Sequence, residues 1–108
     1  MVNKDNIMNT LGCDEEFLKI LFEKFISECS ESMQLLNKAF ENEEWLVMKG
    51  SSHKMLSSTR IFEMDELTHL LKEIETLATH QESLPKIGEL LIELNQKMEE
   101  TYSELKTL

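Results

Sequence analysis

Proline and glycine are scarce in this chain: one proline and three glycines in 108 residues. That is too few for the closely spaced turns of an all-β fold, and no run of alternating Val, Ile and Thr suggests a sheet. Cysteine is scarce too. Cys13 and Cys29 form no CxxC pair and are too few for a disulfide framework. No apolar run approaches the roughly 18 residues needed to span a bilayer, and the N-terminus carries no signal-peptide pattern. The chain therefore reads as soluble, intracellular and cytoplasmic, without membrane insertion. Basic residues are in the minority, 11 against 21 acidic ones, for a formal net charge of -10. This balance argues against nucleic acid or an anionic membrane as the main partner. There is no GxxxxGK[ST] motif and no glycine-rich turn, so no ATP phosphate site is expected.

What is present is helical periodicity. Residues 4–11 read as a short helix closed by Gly12, and Asp14 as the cap of a long helix. That helix carries Phe17, Leu18, Leu21, Phe22, Phe25, Cys29, Met33, Leu36 and Phe40 on one side. Asn42 reads as the cap of the next helix, with Glu43 and Glu44 against its positive end. A break at Glu63-Met64-Asp65 precedes a third long helix with Leu67, Leu70, Leu71, Ile74, Leu77 and Ala78 inward. Ser83-Leu84-Pro85 marks the start of the last, with its stripe at Ile87, Leu91, Leu94, Met98, Tyr102 and Leu105. Short connections make successive helices antiparallel. The expectation is an all-α, up-down-up-down four-helix bundle with a short N-terminal helix, a single domain over residues 1–108 and a monomer.

The candidate site lies in residues 45–62. Trp45, Met48, Ser52, Met55, Thr59 and Phe62 recur at spacings of three and four and form an inward stripe. At about 100° per residue, His53 falls on the shoulder of that stripe beside Leu46, Gly50, Ser57 and Arg60. Gly50 costs a helix interior roughly 1 kcal/mol against alanine. Small residues above and below the imidazole would let another protein come close. Leu46 and Leu56 read as exposed apolar groups flanking it, a docking patch.

These residues resemble the histidine-containing phosphotransfer (Hpt) domain, the carrier module of two-component phosphorelays. The similarity runs without gaps over residues 11–78. It includes Gly12-Cys13-Asp14-Glu15-Glu16-Phe17-Leu18 and Phe40-Glu41-Asn42-Glu43-Glu44-Trp45, with the tryptophan eight residues before the histidine. It continues through His53-Lys54-Met55-Leu56-Ser57-Ser58 to Leu67, a core position of the family. The resemblance implies a bundle fold, phosphorylation of His53, and response-regulator receiver domains as partners, including those of hybrid sensor kinases. It implies reversible His–Asp transfer between receivers, without an autonomous kinase activity. No cofactor is expected on this chain; the receiver would supply the acceptor aspartate and Mg²⁺.

The family motif has lysine three and glycine four residues after the histidine, where this chain has Leu56 and Ser57. Ser57 keeps the site small. The missing cation has two candidate replacements, Lys49 one turn before His53 and Arg60 two turns after it, both within about 40° of it around the helix. Lys54 lies about 100° away. His69, off its helix's stripe, and His80, at that helix's end, read as structural or solvated residues. Glu66-Leu67-Thr68-His69 matches half of a di-iron motif that needs two copies, so no metal site is expected. The competing reading is a helical adaptor or assembly bundle whose histidine is incidental; a buried His53 would favour it.

Overall fold

The computed structural model describes residues 2–108, which form five helices and no strand. They are α1 (Lys4–Leu11), α2 (Glu15–Glu41), α3 (Trp45–Ile61), α4 (Asp65–His80) and α5 (Leu84–Thr107). The molecule measures 42 × 20 × 19 Å. The long dimension is about that of the 27 residues of α2 at roughly 1.5 Å per residue.

Helix starts and stops follow local chemistry. Asn3 caps α1 through the Asn6 N–H at 3.0 Å, and Asp14 caps α2 through the Phe17 N–H at 2.8 Å. Gly12 closes α1 at φ 66°, a left-handed conformation that glycine takes at no steric cost. Asn42 does not cap α3 as its side chain suggested. It ends α2, its N–H donating to the Lys38 carbonyl at 3.1 Å, and Glu44 occupies the α3 N-cap without a side-chain hydrogen bond. The reason is the tightness of the turn. Glu43 takes a left-handed φ of 53°, and the Glu44 N–H reaches back to the Ala39 carbonyl at 2.8 Å, so Asn42 is needed to finish α2. Glu63 repeats this solution between α3 and α4, with the Met64 N–H on the Thr59 carbonyl at 2.9 Å.

α2 packs against α3 and α5, α3 against α4, and α4 against α5. Between them lie Leu18, Phe22, Phe25, Cys29, Met33 and Leu36 of α2, Leu67, Leu70, Leu71, Ile74 and Ala78 of α4, and Ile87, Leu91, Leu94, Met98, Tyr102 and Leu105 of α5. Each fully buried Leu, Ile or Phe contributes about 1.5–3 kcal/mol of transfer free energy. Phe17 departs from its expected place on the α2 stripe: it is 52% exposed in the first turn, where no neighbouring helix covers it. Leu21, Phe40 and Leu77 are half-buried at the edges. Phe62, just past α3, sets its ring edge-on against Phe22 and Phe25, both with centroids 5.6 Å away.

Side-chain pairs record the registers. Thr68 donates to Thr59 at 2.9 Å across α3 and α4, and Asn37 and Asn95 exchange two hydrogen bonds of 3.0 and 2.9 Å across α2 and α5. Lys97 meets Glu66 at 3.1 Å across α4 and α5.

Candidate functional site

α3 turns Met48, Ser51, Ser52, Met55, Leu56 and Thr59 inward. Its buried hydroxyls are satisfied by its own backbone: Ser52 donates to the Met48 carbonyl at 2.7 Å and Thr59 to that of Leu56 at 3.3 Å. The opposite face, with Leu46, Lys49, Gly50, His53, Lys54, Ser57 and Arg60, is exposed. His53 leaves 71% of its side chain open to solvent. An imidazole this open can be reached by another protein, which a core histidine cannot.

One edge of the imidazole is engaged. Its Nδ1 contacts the carboxylate of Glu75 on α4, whose side chain is only 18% exposed. A carboxylate accepts only, so Nδ1 carries a hydrogen, and in the neutral ring the lone pair is then on Nε2. The contact thus fixes both the tautomer and the direction of the ring. Sequence reasoning missed Glu75, although a signal for it exists. Folding the chain back about Glu63 and Met64 sets Thr59 opposite Thr68 and carries His53 to residues 74–75. Ile74 belongs to the core, which leaves Glu75 for the histidine.

Leu56 is not part of the exposed patch: it is 1% exposed. Around α3 it lies about 80° from Met48, with His53 about 60° further round. That angle faces α4. Because α3 is packed on two sides, its buried arc is wider than a single stripe and takes in Leu56 and Ser51. Leu46 is 80% exposed, as expected. A Cβ placed on Gly50 would meet nothing within 4 Å. The Ser57 hydroxyl is turned onto its own helix, donating to the Lys54 carbonyl at 3.0 Å. Lys49 and Arg60 flank His53 at the surface, one on each side along the helix.

The other histidines stand apart. His69 pairs with Glu73 at 3.3 Å, and His80 ends α4 at the surface. Glu66 is drawn to Lys97 on α5. Among the described residues no three of His, Cys, Asp and Glu come together as metal ligands, and no helix is long and apolar enough to cross a membrane.

An all-helical module that presents an accessible imidazole braced by a carboxylate from the neighbouring helix is the class of protein this arrangement describes. The family model of the Hpt domain matches residues 20–105, and the chain belongs to that family. It is a phosphorelay intermediate. In fold it is similar to the crystal structure of histidine-containing phosphotransfer protein B (HptB) from Pseudomonas aeruginosa PAO1. The TM-score is 0.87 at 15% identity, over 98% of this chain and 91% of that one. A comparison with curated proteins finds no match.

Proposed function

We propose that His53 is the residue that carries the phosphoryl group, taking it from an aspartyl phosphate on one receiver domain and passing it to the aspartate of another. The exposed imidazole with Nδ1 held by Glu75 is the observation that carries this reading. The Nε2 lone pair attacks phosphorus; the N–P bond forms as the P–O bond to aspartate breaks, and the receiver keeps the carboxylate. The ring gains a positive charge, which the Nδ1–H shares with Glu75. Transfer onward reverses these steps. Such chemistry needs positioning and charge neutralisation more than further functional groups.

The remaining site residues take supporting parts. Lys49 and Arg60 are the cations within reach of the phosphoryl oxygens, and the planar guanidinium of Arg60 suits two hydrogen bonds. Gly50 and Ser57 leave room for a receiver to bring its aspartate within about 3–3.5 Å of the attacking line. Leu46 is an apolar contact for that receiver. The chain binds no cofactor in this reading; Mg²⁺ sits on the receiver, and no ATP site is involved.

The cross-helix pairs 59–68, 37–95 and 66–97 support an antiparallel, up-down-up-down four-helix bundle with α1 as an addition. We read residues 1–108 as one Hpt-like domain, a monomer acting in the cytoplasm on receiver domains, which a hybrid sensor kinase can also carry. The test is incubation with a phosphorylated receiver domain, followed by detection of acid-labile phosphate. His53→Gln should abolish labelling while leaving helicity and thermal stability nearly unchanged, since the side chain packs little. Labelling retained in that variant would move the site elsewhere.

A further inference from the structure

We propose that Lys72, across the groove on α4, is a catalytic residue of the transfer step. Its ammonium group meets the phosphoryl oxygens on His53 and supplies the charge that Leu56 cannot. Resting on the carrier reading of His53, this adds a residue from a second helix to the same site.

The register between α3 and α4 places it there. Thr59 meets Thr68, and His53 meets Glu75. Going from Thr59 to His53 along α3 thus carries the partner from Thr68 to Glu75 along α4, and position 56 faces residues 71 and 72. Leu71 is 0% exposed and belongs to the core, which leaves Lys72 on the open side. Lys72 therefore lies opposite the position where the family motif has its lysine. Around α4, Leu71, Glu75 and Lys72 follow one another outward from the core in steps of about 40° and 60°. Glu75 holds one edge of the imidazole, and Lys72 stands one turn from Glu75 on the same side of the helix. Side chains three apart in a helix have Cβ atoms about 5–6 Å from each other, a span that the flexible lysine stem covers.

No carboxylate claims this ammonium. Lys72 is exposed and enters no ion pair among the described residues. α3, across the groove, holds no Asp or Glu. Within one turn on α4 the acidic neighbours are Glu73 and Glu75, and both are occupied, by His69 and His53. Thr76 donates to the Lys72 carbonyl at 2.9 Å and leaves the ammonium alone. Its three donors are thus available to a group that arrives. Transfer brings phosphoryl charge close to the Glu75 carboxylate, and a cation on that side offsets their repulsion. Lys49 and Arg60 approach from α3 itself, four residues before the histidine and seven after it. Lys72 closes the α4 side.

The test is direct labelling of His53 by phosphoramidate, in which the N–P bond to His53 forms as ammonia leaves, beside transfer from a phosphorylated receiver domain. Phosphoramidate needs no docking, so a cation that acts on the phosphoryl oxygens changes both rates. Lys72→Ala should slow labelling and receiver transfer alike by roughly fivefold, the scale of one partly exposed cation, with thermal stability unchanged. Lys72→Arg should restore most of both rates. Lys86→Ala removes the same charge from α5, where Lys86 pairs with Glu89, and should leave labelling unchanged. Labelling of Lys72→Ala at the parent rate, a loss confined to receiver transfer, an equal loss in Lys86→Ala, or no recovery in Lys72→Arg would overturn the proposal. Failure of phosphoramidate to label His53 in the parent protein would instead overturn the carrier reading beneath it.

Discussion

Leu46 and Leu56 have the same side chain, sit on either side of His53 in the sequence, and do opposite things. Leu46 is 80% exposed and Leu56 is 1% exposed, set against α4. Removing a buried leucine side chain costs its transfer free energy and leaves a cavity, together about 2–5 kcal/mol, whereas an exposed one costs within about 0.5 kcal/mol. Leu56→Ala should therefore lower the urea midpoint of unfolding strongly, and Leu46→Ala should leave it nearly unchanged while slowing transfer. The reverse pattern would put Leu56 back on the surface. A buried leucine also changes how the site handles charge. The family's lysine position here lies in the α3–α4 contact, so in the proposed carrier reading neutralising phosphate would fall to side chains that remain outside, Lys49 and Arg60.

At the scale of the helix, two glycines show how similar sequence signals conceal different causes. Gly50 and Gly88 both stand inside helices, where glycine is less favourable than alanine by about 1 kcal/mol. A Cβ at Gly50 would enter open space, while one at Gly88 would meet the Phe40 ring at 3.0 Å. Gly50→Ala should stabilise the fold by up to about 1 kcal/mol in thermal or urea unfolding. Gly88→Ala should gain less or lose stability, because the phenyl ring must give way. Gly50→Leu should leave the fold intact and slow transfer, so stability and activity come apart at this position only if the room above it is used. Much of the architecture was legible in local chemistry. Asp14, Gly12 and Pro85 marked boundaries, and period-3.6 stripes found most of the core. What escaped depended on relations between elements. Asn42 has a capping side chain but was needed to close α2. Phe17 has the right phase but no neighbour, Leu56 lies between two packed sides, and Glu75 reaches His53 only after α4 folds back along α3.

At the scale of the whole molecule, the acidic excess stays at the surface while two weakly acidic side chains are sealed inside. Burial pushes the Cys29 thiol up to about 12, with nearby Glu28 adding to the effect. Burial likewise raises Tyr102 above the ordinary phenol range, with Cys29 and Glu99 contributing. The Tyr102 hydroxyl has no hydrogen-bond partner. Both groups are held neutral in the folded state, and the consequence for stability has a definite sign. Below the ordinary thiol range the folded and unfolded chains bind the same protons at Cys29, and pH does nothing through it. Above about pH 9 the unfolded chain releases that proton while the folded chain keeps it, so unfolding gains up to about 1.4 kcal/mol per pH unit. The loss continues until the pH reaches the raised value of about 12. Cys29→Val removes the titration while keeping an apolar group of similar size in the core. Urea unfolding at pH 8 and at pH 10.5 should then show the parent losing up to about 2 kcal/mol more than the variant. Lysine deprotonation is common to both proteins and cancels in the comparison. Equal losses would mean that the fold does not hold Cys29 protonated.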